Sequence, residues 1–370
     1  MTDTYIARMN DSIANLVHHA FRLSWHHPRY IFSFFKLARY QKQAARIRTS
    51  HQSAGLCVPA FMIVSVTRRC NLHCRGCYSH VAAANENATG RTAELNAAEL
   101  ERVIDEAADL GVSFVLLAGG EPLVRADDII EMARRHPRMI FPIFTNGTLM
   151  GDKILDAFRQ YRNLIPILSI EGGKSGTDNR RGTGVYERVM AGVRKLKRAG
   201  IFFGLSFTVT KGNVVELTSR DFVSRLVRED TAVFFYNEYT PIEAGTESFC
   251  ITSNERENML RDLQKRRAEF DRLFLAFPGD EERFGGCLSS GRGFIHVAPD
   301  GRVESCPFAP FGDSSTRDQS LESALRSPLL EQIRLHHDEL EETSGGCALW
   351  NRREWVESLI PKKEEIELED

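Results

Sequence analysis

The sequence predicts an α/β fold built on a largely parallel sheet. From Phe61 onward, short apolar runs alternate with helical patterns at a period of about 25 to 35 residues, as expected for βα units. In one helical pattern Val189, Val193 and Leu196 recur on one face, and Gly200 follows at the position of a C-cap glycine. The runs between the helices are apolar almost throughout, which is typical of parallel strands buried on both faces.

Six strands and five intervening helices follow from these patterns. The predicted strands are Phe61–Thr67, Ser113–Ala118, Met139–Phe144, Ile165–Ile170, Phe203–Val209 and Ala232–Tyr239. The predicted helices are Ala97–Leu110, Asp127–Arg135, Lys153–Tyr161, Val185–Ala199 and Ser219–Val227. After Gly245 the alternation is predicted to stop, with a charged helix over Glu255–Phe274. The chain is thereby divided into a helical extension (1–55), a βα region (56–245) and a C-terminal region (246–370).

Composition excludes several classes of protein. The 370 residues include 48 basic and 50 acidic side chains, so no overall positive charge supports a nucleic-acid partner. No apolar run approaches the roughly 20 residues that a membrane-spanning helix needs. The chain has eight cysteines and no signal-peptide pattern at Met1, which favours a reducing cytoplasm over a disulfide-rich secreted protein.

The N-terminal extension has an amphipathic pattern with two interpretations. Apolar residues recur among basic residues and histidines, as in a helical hairpin broken near Pro28. These apolar residues are Ile13, Leu16, Val17, Phe21, Leu23, Ile31, Phe34, Phe35 and Leu37. The hairpin could lie on an anionic membrane surface, giving a peripheral location. Alternatively, its apolar residues pack against the rest of the chain or a partner subunit, and we favour packing.

Three cysteines, Cys70, Cys74 and Cys77, follow the first predicted strand within eight residues. Thiolates at this density suit an iron–sulfur cluster or a tetrahedral metal ion better than disulfides. A structural zinc site usually has four ligands in paired C-x2-C or C-x4-C spacings. His73 could serve as the fourth ligand, but its place beside Cys74 inside the loop gives it poor reach. The spacing therefore favours a cluster with three protein ligands and one open iron.

Polar motifs follow the next strands in order. Gly119-Gly120-Glu121-Pro122 comes after the second strand, Thr145-Asn146-Gly147 after the third, and Ser169-Ile170-Glu171-Gly172 at the end of the fourth. Each motif alone is also an ordinary turn sequence. The carboxyl ends of parallel strands carry the functional residues of βα barrels, so their ordered recurrence predicts one shared site.

Together these motifs resemble the radical S-adenosylmethionine (SAM) enzymes over roughly residues 56 to 350. The resemblance implies a partial (β/α)6 barrel and a [4Fe–4S] cluster on Cys70, Cys74 and Cys77. In that family the open iron holds SAM, and an electron from the cluster cleaves SAM to a 5′-deoxyadenosyl radical. A reductant such as flavodoxin or ferredoxin is the implied partner.

The resemblance also implies a set of SAM contacts at the strand ends. They are Tyr78, Gly119, Gly120, Glu121, Pro122, Thr145, Asn146, Ser169, Arg180, Arg181, Ser206 and Thr208. One of Arg180 or Arg181 would pair with the methionine carboxylate, because a guanidinium suits a bidentate contact. A solvated loop arginine is the alternative for either one. No side chain is assigned as catalytic.

A second cysteine set lies in the C-terminal region. Cys287, Cys306 and Cys347 accompany a predicted β-hairpin around Pro299-Asp300-Gly301. This pattern resembles the twitch/SPASM subgroup, which carries auxiliary clusters, although the full SPASM pattern has further cysteines after the hairpin. One auxiliary [4Fe–4S] cluster is therefore the most that the resemblance implies. The alternative is three isolated buried thiols, which is also our interpretation of Cys57 and Cys250.

The predicted function is a radical SAM enzyme that abstracts hydrogen from an unidentified substrate. The candidate substrates are a peptide or protein side chain, a cofactor precursor and a lipid. The competing hypothesis is a non-catalytic iron–sulfur or zinc protein that acts as a scaffold or electron carrier. That hypothesis accounts for the cysteines but leaves the ordered strand-end motifs unexplained.

Overall fold

The computed structural model describes residues 2–23, 30–81, 93–277, 279–281, 286–340 and 347–360. The strands are β1 (Phe61–Ser65), β2 (Phe114–Ala118), β3 (Phe141–Thr145), β4 (Leu164–Ser169), β5 (Gly204–Val209), β6 (Val233–Glu238), β7 (Leu273–Phe277), β8 (Phe294–Val297), β9 (Arg302–Glu304) and β10 (Ser314–Ser315). The helices of the first half are α1 (Thr2–Leu23), α2 (Ile31–Ser53), α3 (Ala97–Leu110), α4 (Ala126–Arg135), α5 (Asp152–Gln160), α6 (Lys174–Arg181) and α7 (Val185–Arg198). Those of the second half are α8 (Val214–Thr218), α9 (Arg220–Arg228), α10 (Ser253–Glu269), α11 (Leu321–Leu325), α12 (Pro328–Leu335), α13 (Ala348–Asn351) and α14 (Arg353–Ser358).

The strands form one mainly parallel sheet in the order β10-β9-β8-β1-β2-β3-β4-β5-β6-β7. Neighbours from β1 to β7 are parallel, and β8 also runs parallel to β1. Inward-facing Phe61 of β1 and Leu273 of β7 contribute to the same apolar cluster although they lie on distant strands. The sheet therefore curves into a partial barrel, and the α/β prediction is confirmed.

The six predicted strands are all present, with bounds that differ by at most two residues. The predicted helix over Glu255–Phe274 is wrong in its last five residues, because α10 ends at Glu269 and Leu273–Phe277 forms β7. A five-residue apolar run fits a strand or a helix equally well by pattern alone. Pairing with β6 decides the outcome, and the Phe274 ring stacks on Phe234 with centroids 4.8 Å apart. The βα alternation thus continues past Gly245, where we predicted that it would stop.

Local sequence signals set several helix ends. At α3 the Asn96 side chain accepts a hydrogen bond from the Glu99 N–H, and the Glu99 carboxylate accepts one from the Asn96 N–H. This capping box satisfies two backbone donors that the first helical turn leaves free. The same helix ends at Gly111, whose φ of +90° lies in the left-handed region that glycine adopts without strain. α3 therefore has the bounds that its sequence predicted.

The N-terminal helices pack against the barrel. Met9, Ile13 and Val17 of α1 and Leu37 of α2 are buried, whereas Phe35 is exposed. The favoured packing interpretation is thus met for Ile13, Val17 and Leu37, while the break near Pro28 lies outside the described residues. No helix in the described ranges is both long and apolar enough to cross a membrane.

The predicted division between a βα region and a C-terminal region falls at 245/246, between β6 and β7. These two strands pair with each other, and β8 of the C-terminal region pairs with β1. A single sheet therefore passes through both regions. This arrangement places the hairpin of β8 and β9 directly beside the strand that precedes the first cysteine loop.

Candidate functional site

The three-cysteine loop follows β1 at the C-terminal edge of the sheet. Gly76, between Cys74 and Cys77, adopts a φ of +64°, and a Cβ at this residue would lie 2.5 Å from the Tyr239 hydroxyl. The Arg75 N–H donates to the Arg180 carbonyl at 2.9 Å. Glycine is required at this position by both the backbone conformation and the close approach of Tyr239. The end of β6 and helix α6 thus fix the shape of the loop.

The sulfurs of Cys70, Cys74 and Cys77 do not all lie within 4.8 Å of one another. Tetrahedral zinc with bonds of about 2.3 Å would bring its sulfur ligands to about 3.8 Å of one another. Within the described residues, the only three potential ligand atoms that lie mutually within 4.8 Å belong to Glu101, Asp105 and His136, far from either cysteine set in sequence. His73 is exposed and its ring lies against His80, with centroids 5.1 Å apart. Burial raises the pKa of the Cys70 and Cys74 thiols.

The two glycines after β2 pack directly against the backbone of the cysteine loop. A Cβ on Gly119 would lie 2.4 Å from the Thr67 carbonyl oxygen, and one on Gly120 would lie 2.3 Å from the Arg69 carbonyl oxygen. The Gly120 N–H donates to the Thr67 carbonyl, and the Glu121 N–H to the Arg69 carbonyl. These glycines therefore hold the loop that carries Cys70. Their predicted backbone contact with SAM stays a prediction.

Glu121 organises the ends of two neighbouring strands. Its buried carboxylate accepts hydrogen bonds from the Thr145 hydroxyl at 2.6 Å, the Asn146 N–H at 2.8 Å and the Leu123 N–H at 3.0 Å. Burial raises the pKa of Glu121, although these three donors oppose the shift. Pro122 begins the short 3-10 helix that follows. The Glu121 side chain is thus fully engaged within the protein, and its role at SAM remains a prediction.

Asn146 joins the end of β3 to the cysteine loop. Its side-chain amide donates to Asn71 at 2.8 Å, and the same nitrogen lies 4.0 Å from the Cys70 sulfur. Its side-chain oxygen accepts from the Thr148 N–H at 3.0 Å. The strand-end motif and the cysteine loop, predicted to share one site, therefore lie within contact distance of each other.

A charged cluster at the ends of β4 and β5 contains both predicted arginines. Arg180 and Arg181 each donate to the same oxygen of Glu171, at 2.7 and 2.5 Å. Arg180 also donates to the Thr208 hydroxyl at 2.9 Å, while the Thr208 N–H donates to the other Glu171 oxygen at 3.0 Å. Two guanidinium groups share one carboxylate, so the cluster keeps a net positive charge. Glu171 was quoted in its motif but not predicted as a site residue.

The remaining predicted SAM contacts lie on the same edge. Ser169 and Ser206 are register partners on β4 and β5, and the Ser206 hydroxyl accepts from the Asn237 amide at 3.1 Å. Tyr78 is partly buried, with its ring edge-on to Phe308 at a centroid separation of 5.2 Å. Burial raises the pKa of Tyr78, and negative charge on Cys77 or Cys306 would raise it further. Tyr78 therefore lies between the two cysteine sets.

The second cysteine set converges in an apolar environment. Cys287, Cys306 and Cys347 belong to one apolar cluster, and the Cys306 and Cys347 thiols are hydrogen-bonded. Burial raises the pKa of Cys287 and Cys306 well above the ordinary thiol value. The other cysteines lie elsewhere: Cys57 donates to the Gly291 carbonyl at 3.3 Å and Cys250 to the Tyr239 carbonyl at 3.8 Å.

A cavity of about 670 Å³ occupies the barrel interior and reaches Cys287, Cys306 and Cys347. Phenylalanine rings line it from six strands: Phe61, Phe114, Phe144, Phe235, Phe277 and Phe294. Met9, Ile13 and Val17 of α1 line it as well. We call this cavity the chamber. It combines volume, apolar walls and a cysteine cluster, as expected of a ligand site.

A partial barrel with a three-cysteine loop and polar strand ends on one edge defines a cluster-binding barrel protein. Residues 64–216 match the family model of the radical SAM superfamily. An AdoMet-dependent heme synthase of Methanosarcina barkeri is 29% identical over 79% of this chain and 88% of its own length. A pre-heme d1 synthase of Dinoroseobacter shibae is 34% identical over 50% of this chain and 44% of its own length.

Comparison with solved structures supports the same fold. Streptococcus suis SuiB bound to S-adenosylmethionine superimposes with a TM-score of 0.63 at 17% identity, covering 80% of this chain and 73% of SuiB. The chain carries a radical SAM domain over residues 64–216 and is an enzyme. This domain implies SAM and a [4Fe–4S] cluster as cofactors. The non-catalytic scaffold hypothesis is thereby excluded.

Proposed function

We propose that this enzyme uses SAM-derived radical chemistry on a tetrapyrrole-like cofactor precursor held in the chamber. Cys70, Cys74 and Cys77 would hold the SAM-binding cluster, and Cys287, Cys306 and Cys347 an auxiliary [4Fe–4S] cluster of the twitch/SPASM kind. When bound, the first cluster and SAM together supply a 5′-deoxyadenosyl radical. The observation that carries the proposal is the chamber, whose apolar walls extend to the second cysteine set.

The size and lining of the chamber favour a large ring system. Its volume lies within the range of about 300 to 1,000 Å³ that is usual for small-molecule sites. Aromatic rings on several walls provide stacking surfaces for a flat, polarisable ligand. Two arginines also line the chamber: Arg267, which is paired with Asp280 at 2.7 Å, and Arg272, which donates to the Thr231 carbonyl at 2.9 Å.

The names of two relatives point to the same substrate class. A heme synthase and a pre-heme d1 synthase both act in making tetrapyrroles, and the first of them matches this chain along most of both lengths. Among the substrate classes predicted from the sequence, a cofactor precursor therefore gains the most support. A peptide, a protein side chain and a lipid become outcomes to be tested.

The residues around the SAM-binding cluster have separate roles in this proposal. Gly119 and Gly120 hold the cysteine loop at the C-terminal edge, as their contacts with Thr67 and Arg69 indicate. The net positive charge of Arg180, Arg181 and Glu171 offers a partner for the SAM carboxylate. The apolar walls of the chamber would exclude water from the radical.

The auxiliary cysteines would place an acceptor beside the substrate. Cys287 and Cys306 are buried and Cys347 is half-buried, so a cluster there would be largely shielded from solvent while it borders the chamber. Removal of hydrogen from a substrate carbon leaves an unpaired electron, and an iron–sulfur cluster can accept one electron. A flavodoxin or ferredoxin would deliver the electron that starts each turnover.

The proposal is tested by anaerobic purification with iron and sulfide analysis, followed by a SAM-cleavage assay with dithionite. A variant with Cys70, Cys74 and Cys77 replaced by alanine should lose 5′-deoxyadenosine formation. Its iron content should fall by about half if each cysteine set holds one four-iron cluster. SAM cleavage that persists in this variant would contradict the assignment of the first cluster.

Substrate identity is tested with iron coproporphyrin III, a porphyrin with four propionate arms. Anaerobic incubation with SAM and dithionite should convert it to a product of altered mass, detected by mass spectrometry. A linear peptide of equal mass is the matched control. Turnover of the peptide with none of the porphyrin would contradict the tetrapyrrole proposal and leave the cluster assignments intact.

A further inference from the structure

We infer that α1 forms the floor of the chamber and selects which apolar ligands it accepts. The inference rests on the proposed function, because it assigns the chamber to a ligand. Met9, Ile13 and Val17 recur at four-residue intervals, so they share one face of α1. All three side chains are at least 94% buried, and all three line the chamber.

The position of α1 follows from its packing partners. Its buried face joins residues at the N-terminal ends of the barrel strands, such as Phe114, Ile165 and Leu273. The predicted SAM contacts lie at the opposite, C-terminal ends of the strands. A strand rises about 3.3 Å per residue, so five residues separate the two edges by roughly 16 Å. α1 therefore borders the part of the chamber that is remote from the SAM site.

α1 is held in place near its middle and near its C-terminal end. Near the middle, the buried Arg48 of α2 donates to Asn10 at 2.7 Å and to the Gly111 carbonyl at 2.5 Å. Near the C-terminal end, His19 lies 3.1 Å from Asp271, just before β7. These contacts join α1 to the barrel at two separate places. The floor is thus positioned by the fold rather than by the ligand.

The floor is also fitted closely to the barrel wall. A Cβ on Gly293 would lie 3.1 Å from the terminal methyl carbon of Met9, so the glycine before β8 leaves room for this side chain. Ile13, Ser12 and Asn15 line the chamber next to it. Because protein interiors are close-packed, a larger side chain on this face must project into the chamber. The side chains of α1 therefore set its depth.

The test is a bulky substitution on either face of α1. Ile13→Trp places an indole on the chamber side, and Ala14→Trp places the same group on the exposed side as the matched control. The probe is 1-anilinonaphthalene-8-sulfonate, an apolar dye whose fluorescence reports its binding. Ile13→Trp should weaken dye binding roughly tenfold or more, because the indole takes up chamber volume that the dye would otherwise occupy. Ala14→Trp should bind the dye like the wild type.

A second variant guards against misfolding. Ser12→Trp also adds bulk to the chamber but removes no buried apolar contact, and iron content identifies which variants are folded. Equal dye affinity in the wild type and a folded chamber-side variant, or no dye binding by the wild type, would overturn the inference. Loss of dye binding in Ile13→Trp without porphyrin turnover by the wild type would support the floor and contradict only the tetrapyrrole proposal.

Discussion

Replacing Gly120 by alanine should disrupt the first cluster through a purely steric effect. The new methyl group would lie 2.3 Å from the Arg69 carbonyl oxygen and 2.6 Å from the Arg68 carbonyl oxygen. Real Cβ atoms essentially never approach closer than 3.0 Å, so the backbone before Cys70 must move by about 0.7 Å or more. Neither contact is with a flexible side chain, so the strain cannot be relieved by a rotamer change.

The size of the effect follows from this displacement. Overpacking of this kind usually costs about 1 to 3 kcal/mol of unfolding free energy. A misplacement of about 1 Å in a reacting group can lower a rate about 100-fold. Gly120→Ala should therefore lose about two orders of magnitude in 5′-deoxyadenosine formation. Iron bound by the first cysteine set should fall, while the second set keeps its iron.

The matched control is Gly212→Ala. A Cβ on Gly212 would meet only the Thr210 hydroxyl at 3.8 Å, an ordinary contact distance, and neither glycine has a positive φ. This variant should remain within about 0.5 kcal/mol of the wild type in urea unfolding. If Gly120→Ala matches Gly212→Ala in iron content, stability and SAM cleavage, the proposed packing of the glycine motif on the cysteine loop is refuted.

Three further predictions concern buried groups. Cys306→Ala should lose about half of the iron and fail to form product. The control variant Cys57→Ala should keep its iron. Equal iron content in the two variants would show that Cys306 is a packing thiol. Glu171→Gln leaves two guanidinium groups without their shared carboxylate, so the unfolding free energy of the apoprotein in urea should fall by about 3 to 5 kcal/mol. A fall below about 1 kcal/mol would show that Glu171 does not hold the two arginines in place. Burial raises the pKa of Glu121 above 4.5, so the folded state holds this proton more tightly. Stability from Glu121 is therefore full below pH 4.5 and declines as the pH rises through the folded pKa, so Glu121→Gln should gain stability relative to the wild type between pH 4.5 and 7. A constant difference across this range would show that Glu121 does not titrate differently on folding.

Sequence alone predicted the part of the site that depends on local motifs. The cysteine loop, the glycine pair at Gly119 and the strand-end Asn146 each have a local pattern, and the parallel sheet then brings them together. The alternation of apolar runs also predicted six strands with nearly their observed bounds. Short-range periodicity is sufficient where a buried strand has helical neighbours on both sides.

The missed features depend on contacts between distant segments. Glu171 follows β4, but its role requires Arg180 from α6 and Thr208 from β5 to meet at one point. β7 consists of a short apolar run whose strand conformation is determined by pairing with β6. The sequence also could not predict that α1 faces the barrel interior, because an amphipathic helix has the same pattern whether it covers a barrel from outside or closes it from within.

The two cysteine sets are linked through the pairing of β8 with β1. His296 of β8 contacts the Ser65 hydroxyl of β1 at 2.8 Å and the Glu304 carboxylate of β9 at 2.7 Å. Cys70 follows Ser65 by five residues and Cys306 follows Glu304 by two. The hydrogen bonds of His296 to Ser65 and Glu304 therefore connect the short segments that carry one cysteine from each set. The separation of the two sets is therefore determined by sheet register rather than by a hinge between domains. In the proposed function, an enzyme built in this way would hold its substrate between two fixed cysteine sets, over a floor at α1 that the fold itself positions.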